Sequence, residues 1–282
     1  MASTQSDRAR LNLRRAIRVG TWNVRSLRED ERLPLLSREL GRLGVDVASV
    51  SEVRRPGSGV ASVGGYTYYW SGRADGHHWE GVAIAISNRL RPSVVEVAPV
   101  DERIMVMRLK HSFGFMSLVA VYAPTDTSKP EVKEMFYAKL TSVADGCPKR
   151  DIRLVLGDFN AVSGCDRAGY EMSVGPHGSG TDTGSGNSLL LRDFARSQRM
   201  RIAGSWYQRP DLHRFTWYSN AGNAIKEVDH IHVSTRWRIL QNCRVFRSAE
   251  FCGCGSSSGA FQNLSSVQGP PQGVPPGQTE GG

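Results

Sequence analysis

The chain of 282 residues carries 36 lysines and arginines against 27 acids, a net charge of +9. With 39% hydrophobic and 22% charged residues, it is too apolar to be disordered throughout and suits one large α/β domain or two small ones. The positive charge favours polyanions such as nucleic acid, anionic lipid or phosphorylated small molecules, without choosing among them. No apolar run reaches transmembrane length, so no membrane-spanning helix is expected.

The predicted domain runs from about Ile17 to Phe251, and its elements follow one another closely. "IRVGTWNV" and "VDVASVSE" are predicted strands on either side of a helix in "RLPLLSRELGRLG", whose leucines 33, 36, 40 and 43 form one stripe. Five more strands follow in "YTYYWS", "GVAIAIS", "SVVEVAPV", "RIMVMRLK" and "GFMSLVAVYAP". A helix in "EVKEMFYAKLTSVAD", a strand in "IRLVLGDFN", a helix in "SLLLRDFARSQ" and strands in "RFTWYS" and "EVDHIHVS" complete the series. This order predicts two packed sheets with helices outside.

Both termini differ in composition from the domain. Residues 1–16 are rich in arginine and lack the apolar segment of a secretory signal, which predicts a basic, flexible arm. The last 30 residues contain 8 Gly, 4 Pro and 5 Ser and no Lys or Arg, so residues 252–282 are predicted to be a disordered tail. Five scattered cysteines, without a CxxC pair, are typical of reduced thiols in an intracellular protein, nuclear or cytoplasmic.

Polar residues end several of the predicted strands, where ligands bind in α/β sheets. Taken one at a time, they have ordinary explanations: Asn23 and Asn160 as turn caps, Glu52 as a surface acid and Asp229 as a buried ion-pair partner. Taken together, they suit phosphodiester hydrolysis. The candidate catalytic residues are Asp158, Asn160, Tyr122 and Asp229; the candidate metal-binding residues are Glu52, Asn23 and Asp229; the candidate substrate-binding residues are Thr216 and Trp217.

Each candidate has a chemical reason. Glu52, helped by Asn23, supplies the oxygen ligands that Mg²⁺, or Mn²⁺ in its place, requires. Asp158 is suited to orient and deprotonate the attacking water, and Gly157 lets the backbone turn it into the site. Asn160 and Tyr122 are suited to hydrogen-bond phosphate oxygens as charge builds in the transition state. For Trp217, an exposed position at the site and burial in the core are equally open.

In this order, "GTWNVRSL", "SEVRR", "VYAPT", "GDFNAV", "FTWYS" and "EVDHI" resemble the endonuclease/exonuclease/phosphatase family, and within it the AP-endonuclease-like endonuclease domain of non-LTR (LINE-type) retrotransposons. The resemblance covers residues 17 to about 251. It implies a four-layer α/β/β/α sandwich, two packed mixed sheets flanked by helices, and a Mg²⁺-dependent phosphodiesterase that nicks DNA. The alternatives are a family phosphatase acting on phosphoinositides or sphingolipids, and a non-catalytic nucleic-acid-binding remnant.

One departure from the family pattern concerns the last core strand, which in the family carries a Ser-Asp-His or Thr-Asp-His motif. Here "RVFRSAEF" leads into Gly- and Ser-rich sequence, and no histidine follows His232. Strand alternation places His230 and His232 on the face opposite Asp229, so neither replaces the missing group. No pattern favours any of the remaining candidates, His77, His78, His177 and His213. We therefore expect the last core strand to be missing and the nuclease activity to be low.

Overall fold

A computed structural model of the chain describes residues 16–180, 186–210, 213–219, 225–237 and 239–246, together with Leu11, Leu13 and the backbone of Phe261–Val267. The helices are α1 Arg32–Arg42, α2 Pro130–Gly146 and α3 Asn187–Ser197. The strands are β1 Ile17–Asn23, β2 Val47–Ser51, β3 Ser58–Val63, β4 Tyr66–Ser71, β5 Val82–Ser87, β6 Val94–Pro99, β7 Ile104–His111, β8 Gly114–Tyr122, β9 Ile152–Asp158, β10 Met200–Ile202, β11 Trp217–Tyr218, β12 Ile225–Lys226, β13 Asp229–Ser234, β14 Leu240–Phe246 and β15 Phe261–Val267.

Two mixed sheets form the middle of the molecule. The first has the order β14-β15-β1-β2-β5-β4-β3 and the second the order β10-β13-β9-β8-β7-β6. The pairs β1–β2 and β8–β9 are parallel, whereas β13 runs antiparallel to β9. The two-stranded pair β11–β12 lies outside both sheets.

Three apolar clusters hold four layers together, as the family resemblance implied. The cluster between the sheets contains Val19, Ile84, Leu118 and Leu154. A second cluster packs α1 on the first sheet; its leucines 33, 36, 40 and 43 are all buried, so the predicted stripe is confirmed. The third packs α2 and α3 on the second sheet through residues such as Leu140 and Leu191. No helix within the described ranges has the length and apolarity to cross a membrane.

The parallel pairs bring the candidate residues to one edge of the sandwich. Asn23 at the end of β1 is in register with Ser51, the residue before Glu52. Tyr122 at the end of β8 is in register with Asp158, which also pairs with Asp229 at the start of β13. We call the edge formed by the ends of β1, β2, β8 and β9 and the start of β13 the site edge.

The prediction that the last core strand is missing is wrong. Phe261–Val267 lies between β1 and β14 and pairs antiparallel with both. This segment contains neither Gly nor Pro, although its flanks are rich in both, so a composition averaged over the tail conceals a strand of seven residues. Loss of stability through an unpaired edge of β1 is therefore not expected. The rest of the predicted disordered tail lies outside the described residues.

Further elements differ from the sequence interpretation, and strands β10, β12 and β14 were not predicted. Leu11 and Leu13, assigned to the flexible arm, are buried in the core between the sheets, and Leu11 N donates to Lys110 O at 3.1 Å. A leucine pair in an arginine-rich stretch is enough to anchor the chain by burying apolar area. Residues 1–10, 12, 14 and 15 of that arm lie outside the described residues. The edge strand β3 was not predicted, because its "SGVASV" sequence is small and partly exposed.

Candidate active site

Asn23 lies at the centre of the site edge and connects two carboxylates. Its Nδ2 donates to Glu52 Oε1 at 2.7 Å and to Asp158 Oδ2 at 3.1 Å. Its Oδ1 accepts from the Arg25 amide at 3.0 Å. Since both carboxylates accept from the same nitrogen, the distance between Glu52 Oε1 and Asp158 Oδ2 cannot exceed the sum of these two hydrogen-bond lengths. The amide nitrogen rather than the oxygen faces the acids, so in this arrangement Asn23 orients Glu52 and Asp158.

Left-handed backbone conformations concentrate at this edge. Among the described residues, five non-glycine residues have positive φ, and four of them belong to the site or adjoin it: Arg25 at 56°, Glu52 at 54°, Arg54 at 57° and Asn160 at 47°. Such conformations cost energy and persist where the surrounding structure imposes them, which is common at functional sites. They turn the chain sharply after β1, β2 and β9, so that the side chains point into the same space.

Asp158 ends the buried strand β9 and is itself 4% exposed. Its Oδ1 accepts from the Asn160 amide at 2.9 Å. Gly157 before it has φ +154°, and a Cβ there would overlap the Val121 carbonyl oxygen. The prediction that this glycine permits a special backbone geometry is confirmed. Any larger residue would displace β8 or β9 and with it the carboxylate.

Asp229 pairs with Asp158 on the neighbouring strand and is 1% exposed. Its Oδ1 accepts from Thr21 Oγ1 at 3.4 Å. Thr216, expected to meet substrate, is also buried, and its Oγ1 accepts from the Val228 amide at 2.9 Å and the Asp229 amide at 3.3 Å. The Thr216 side chain therefore supports the start of β13 and does not lie on the surface.

Asn160 and Tyr122 flank Asp158. Asn160 Nδ2 donates to Ala123 O at 2.9 Å, which engages one of its two amide hydrogens. Tyr122 is 9% exposed, and the Arg103 guanidinium lies 5.3 Å from its ring centre. Burial, followed by the nearby Glu52 and Asp158 carboxylates, raises the pKa of Tyr122. The phenol therefore keeps its proton and is available as a donor.

Trp217 is 40% exposed on the β11–β12 pair, so the core interpretation of this residue is wrong. Its strand partner is Lys226, whose Nζ lies 3.4 Å from Asp126 Oδ2 in the loop after β8. An exposed indole beside a lysine at the margin of the site suits contact with a nucleic acid.

The histidines confirm the alternation argument. His230 and His232 point away from the site into the core under α3, with ring centres 6.1 Å and 4.6 Å from that of Phe159. Burial lowers the pKa of His232 to about 3, so it stays neutral. Of the remaining candidates, His78 is brought beside the site, where its Nδ1 hydrogen-bonds Arg54 O at 3.0 Å.

Three functional candidates were missed in the sequence. Arg54 Nη2 pairs with Glu52 Oε2 at 2.8 Å. Arg103 pairs with Glu80 at 2.9 Å and donates to Tyr122 O at 3.2 Å. Trp79, in the loop between β4 and β5, is 70% exposed and stacks on His77 with ring centres 5.1 Å apart. Arg54 lies in the "SEVRR" segment, one of those that resemble the family, so that resemblance could have identified it. No motif contains Arg103 or Trp79.

The site residues fit a hard divalent cation. Among the described residues, no group of three or more His, Cys, Asp and Glu is arranged as a metal site. Mg²⁺, however, is commonly held by one or two carboxylates and keeps several waters. Glu52 supplies such a carboxylate. Burial, and then repulsion from Glu52, raises the pKa of Asp158 to about 6, and burial together with Asp158 raises the pKa of Asp229 well above its ordinary value. A cation would relieve this concentration of negative charge.

We expect ionisation of Asp158, buried beside Glu52, to make the protein less stable as pH rises through the mildly acidic range. The folded state holds the Asp158 proton up to a pKa of about 6, whereas the unfolded chain releases it near 3.8. Between these values the folded state binds more protons, so the free energy of unfolding falls with rising pH. Urea unfolding across this range without divalent ions measures the slope. An equally steep fall in Asp158→Asn would assign it to other groups.

In a comparison with known protein families, residues 20–250 match the Endonuclease/Exonuclease/phosphatase family. Craniofacial development protein 2 of Tragulus javanicus is 26% identical over 235 residues, which are 83% of this chain and 40% of the relative. The same protein of Bos taurus matches at 26% over 39% of its length. The chain thus spans about two fifths of the length of the curated relatives it matches.

Solved structures share the fold. The AP endonuclease LMAP from Leishmania major superposes with a TM-score of 0.68 at 14% identity, covering 95% of this chain and 92% of that one. The 3′ phosphatase NExo from Neisseria, bound to a product DNA hairpin, superposes with a TM-score of 0.61 at 18% identity, covering 90% of this chain and 100% of that one. The endonuclease domain of TRAS1, a telomere-specific non-LTR retrotransposon, superposes with a TM-score of 0.60 at 15% identity, covering 90% of this chain and 98% of that one.

Proposed function

Since this chain belongs to the Endonuclease/Exonuclease/phosphatase family, whose members are hydrolytic nucleases and phosphatases, we propose that it is a Mg²⁺-dependent DNA endonuclease of the retrotransposon type. The observation that carries the proposal is the Asn23 amide, which joins Glu52 and Asp158 at the edge where both sheets end. Around this pair the chain adopts left-handed conformations at Glu52 and Asn160. These costly turns aim acidic and amide groups at one point, as phosphodiester hydrolysis requires.

Each side chain has a role in this proposal. Asp158 orients the attacking water and takes its proton; a pKa of about 6 leaves it mostly ionised at neutral pH and still close enough to act as a base. Tyr122 and the second amide hydrogen of Asn160 donate to phosphate oxygens. Asp229, held by Thr21, keeps the Asp158 end of β9 in place.

Glu52 would hold the divalent ion, with Asn23 and Arg54 fixing its carboxylate. Mg²⁺, or Mn²⁺ in its place, would neutralise the charge on the phosphate and on the leaving oxygen. For Asn23 to bind the metal, its amide oxygen would have to turn toward the ion. For Asp229 to bind it, the ion would have to reach this buried carboxylate past Asp158. Both metal-ligand roles stay predictions.

DNA is preferred over a phosphoinositide or sphingolipid substrate for two reasons. The net charge is +9, and the exposed Trp217 beside Lys226 offers a stacking surface with a cation. The TRAS1 domain and the DNA-bound NExo structure share this fold. A second candidate, a nucleic-acid-binding remnant without turnover, is favoured by the lack of any histidine after His232.

Nicking of supercoiled plasmid tests the proposal. Because the histidine is missing, the assay compares the natural chain with a variant carrying Ala260→Asp and Phe261→His, each with Mg²⁺ and with EDTA. Mg²⁺-dependent nicking by at least the variant supports an endonuclease. Release of phosphate from phosphoinositide vesicles without nicking would support the phosphatase, and DNA binding without either activity would support the remnant.

The metal role of Glu52 has a test that needs no activity. We expect saturating Mg²⁺ to stabilise the natural chain by ~1–3 kcal/mol, because an ion bound only by the folded state shifts the unfolding equilibrium. Glu52→Gln should abolish this gain, as measured by urea unfolding with and without Mg²⁺. Glu96→Gln, an exposed site on β6, is the matched control and should retain it. Equal Mg²⁺ stabilisation in both variants would place the ion elsewhere.

Trp217 is expected to contribute to DNA affinity and little to stability. Trp217→Ala should weaken binding of a short duplex about tenfold, within the range for one aromatic contact with a base or sugar, while the unfolding midpoint stays close to that of the natural chain. Phe113→Ala, which removes an aromatic of 46% exposure at the opposite end of the sandwich, is the control. Fluorescence anisotropy gives the affinities. A large loss of stability with unchanged affinity would return Trp217 to a structural role.

A further inference from the structure

A groove lies at the end of the sandwich opposite the site edge. Strand β13 connects the two ends: it starts at the site edge with Asp229 and ends in this groove with Ser234, ~17 Å away. Two pockets of about 560 Å³ and 360 Å³ meet at Ser234, which lines both. We call this the distal groove and define it by Lys149, Arg199, Arg201, Ser234, Arg236 and Trp237.

Three buried polar atoms of the distal groove lack a hydrogen-bond partner in the part of the chain that the structure describes. They are Ser234 Oγ, Arg201 Nε and Trp237 Nε1. Ser234 is 5% exposed. The arginine and indole nitrogens are donors only, and the serine hydroxyl is able to donate as well. Leaving such groups unsatisfied destabilises a protein. Since all three residues line the two pockets that meet at Ser234, they indicate a ligand that brings acceptors.

The charges of the groove point to an anion. Within the described residues, no ion pair is formed by Lys149, Arg199 or Arg236, and Arg236 Nη1 donates only to Lys149 O at 3.2 Å. Two acids also line the larger pocket. Asp151 is paired with Arg108, from which it accepts at 2.7 Å and 3.1 Å, whereas Asp145 accepts from the neutral Gln198 amide at 3.1 Å and keeps its charge. Lys149, Arg199 and Arg236 outnumber this one uncompensated acid, so the pocket is positively charged.

Two arginines of the distal groove each lie over a tryptophan ring. The Arg201 guanidinium lies 4.5 Å from the Trp206 ring centre, and that of Arg236 lies 5.4 Å from the Trp237 ring centre. Arg199 is the fifth described non-glycine residue with positive φ, at 52°. Interleaved cations and aromatic faces are the arrangement with which proteins hold single strands, by phosphates and by stacked bases.

We propose that the distal groove is a second, non-catalytic binding site for single-stranded nucleic acid. Lys149, Arg199 and Arg236 contact successive phosphates. Ser234, Arg201 and Trp237 donate to acceptors on the strand. The distal groove lies at the far end of β13 from Asp229 and is therefore separate from the active site. This inference stands independently of whether the chain hydrolyses DNA.

Fluorescence anisotropy with a labelled oligothymidylate, in EDTA to prevent turnover, tests the charges. Arg199→Glu combined with Arg236→Glu is compared with Arg38→Glu combined with Arg91→Glu, which makes the same charge change at exposed arginines elsewhere. We expect the first pair alone to weaken binding at least about tenfold and to reduce the slope of log K against log salt by roughly 0.7 for each lost contact. Equal weakening by both pairs would overturn the proposal, since only net charge would then matter.

Ser234→Ala tests the buried hydroxyl. We expect weaker oligonucleotide binding with an unfolding midpoint that is unchanged or higher, because an unsatisfied group is removed. A lower midpoint with unchanged binding would make Ser234 structural and overturn its role. Phosphoinositide vesicles that bind through the groove when the oligonucleotide does not would also overturn the proposal. The proposal would also be overturned if the groove variants lost plasmid nicking to the same extent as they lose oligonucleotide binding, because the groove would then be part of the catalytic path.

Discussion

Asp158→Asn is expected to slow plasmid nicking at least 100-fold and to leave duplex affinity within about twofold, because a general base acts in the transition state and not in binding. The comparison is made in the chain carrying Ala260→Asp and Phe261→His, where the starting rate is highest. Asparagine keeps the shape of the side chain, and its one oxygen can still accept from the Asn160 amide, whereas its NH2 group replaces the oxygen that accepted from Asn23. It therefore loses one acceptor and the ability to take a proton.

The same substitution should make the protein more stable at neutral pH. Asp158 is buried beside Glu52 and Asp229, and its ionised form is disfavoured there, as its raised pKa indicates. A neutral amide removes this repulsion. Asp193→Asn, on the surface of α3 where it pairs with Arg196, is the control and should change neither nicking nor stability appreciably. Near-normal nicking by Asp158→Asn would remove Asp158 from the mechanism.

Ala260→Asp with Phe261→His is expected to raise nicking by about 100- to 1,000-fold over the natural chain, the scale for a preorganised donor to a phosphate oxygen. The antiparallel register of β15 with β1 brings the amino-terminal end of β15 toward the Asn23 end of β1. Because this strand exists, the substitution needs no new element of the sheet.

Ala260→Asn with Phe261→Gln is the matched control, since it adds polar side chains of similar size without an acid or an imidazole. Its nicking rate should stay at that of the natural chain. Equal activity in the natural chain and the Asp-His variant would show that the histidine is dispensable here or replaced by another group. His78, beside Arg54, would then be the first residue to substitute.

The sequence by itself determined the layers and most of the site. The stripe of leucines in α1 and the apolar strands encode burial locally, since each pattern repeats with the period of its element. Asn23, Glu52, Tyr122 and Asp158 were identified because they end apolar strands. The exclusion of His230 and His232 also needed only alternation along one strand.

Tertiary structure alone decided what depends on distant segments. Thr216 and Trp217 are adjacent in sequence and point to opposite faces of an extended segment. Only the contact of Thr216 Oγ1 with the amides of Val228 and Asp229 decides that Thr216 is the buried residue and Trp217 the exposed one. Strand β15 exists because β1 and β14 offer it two partners, which no local composition reveals. The Asn23 bridge and the donors of the distal groove likewise arise from residues far apart in the chain. Local pattern determines which face is buried, whereas contacts between remote segments determine which polar atoms meet.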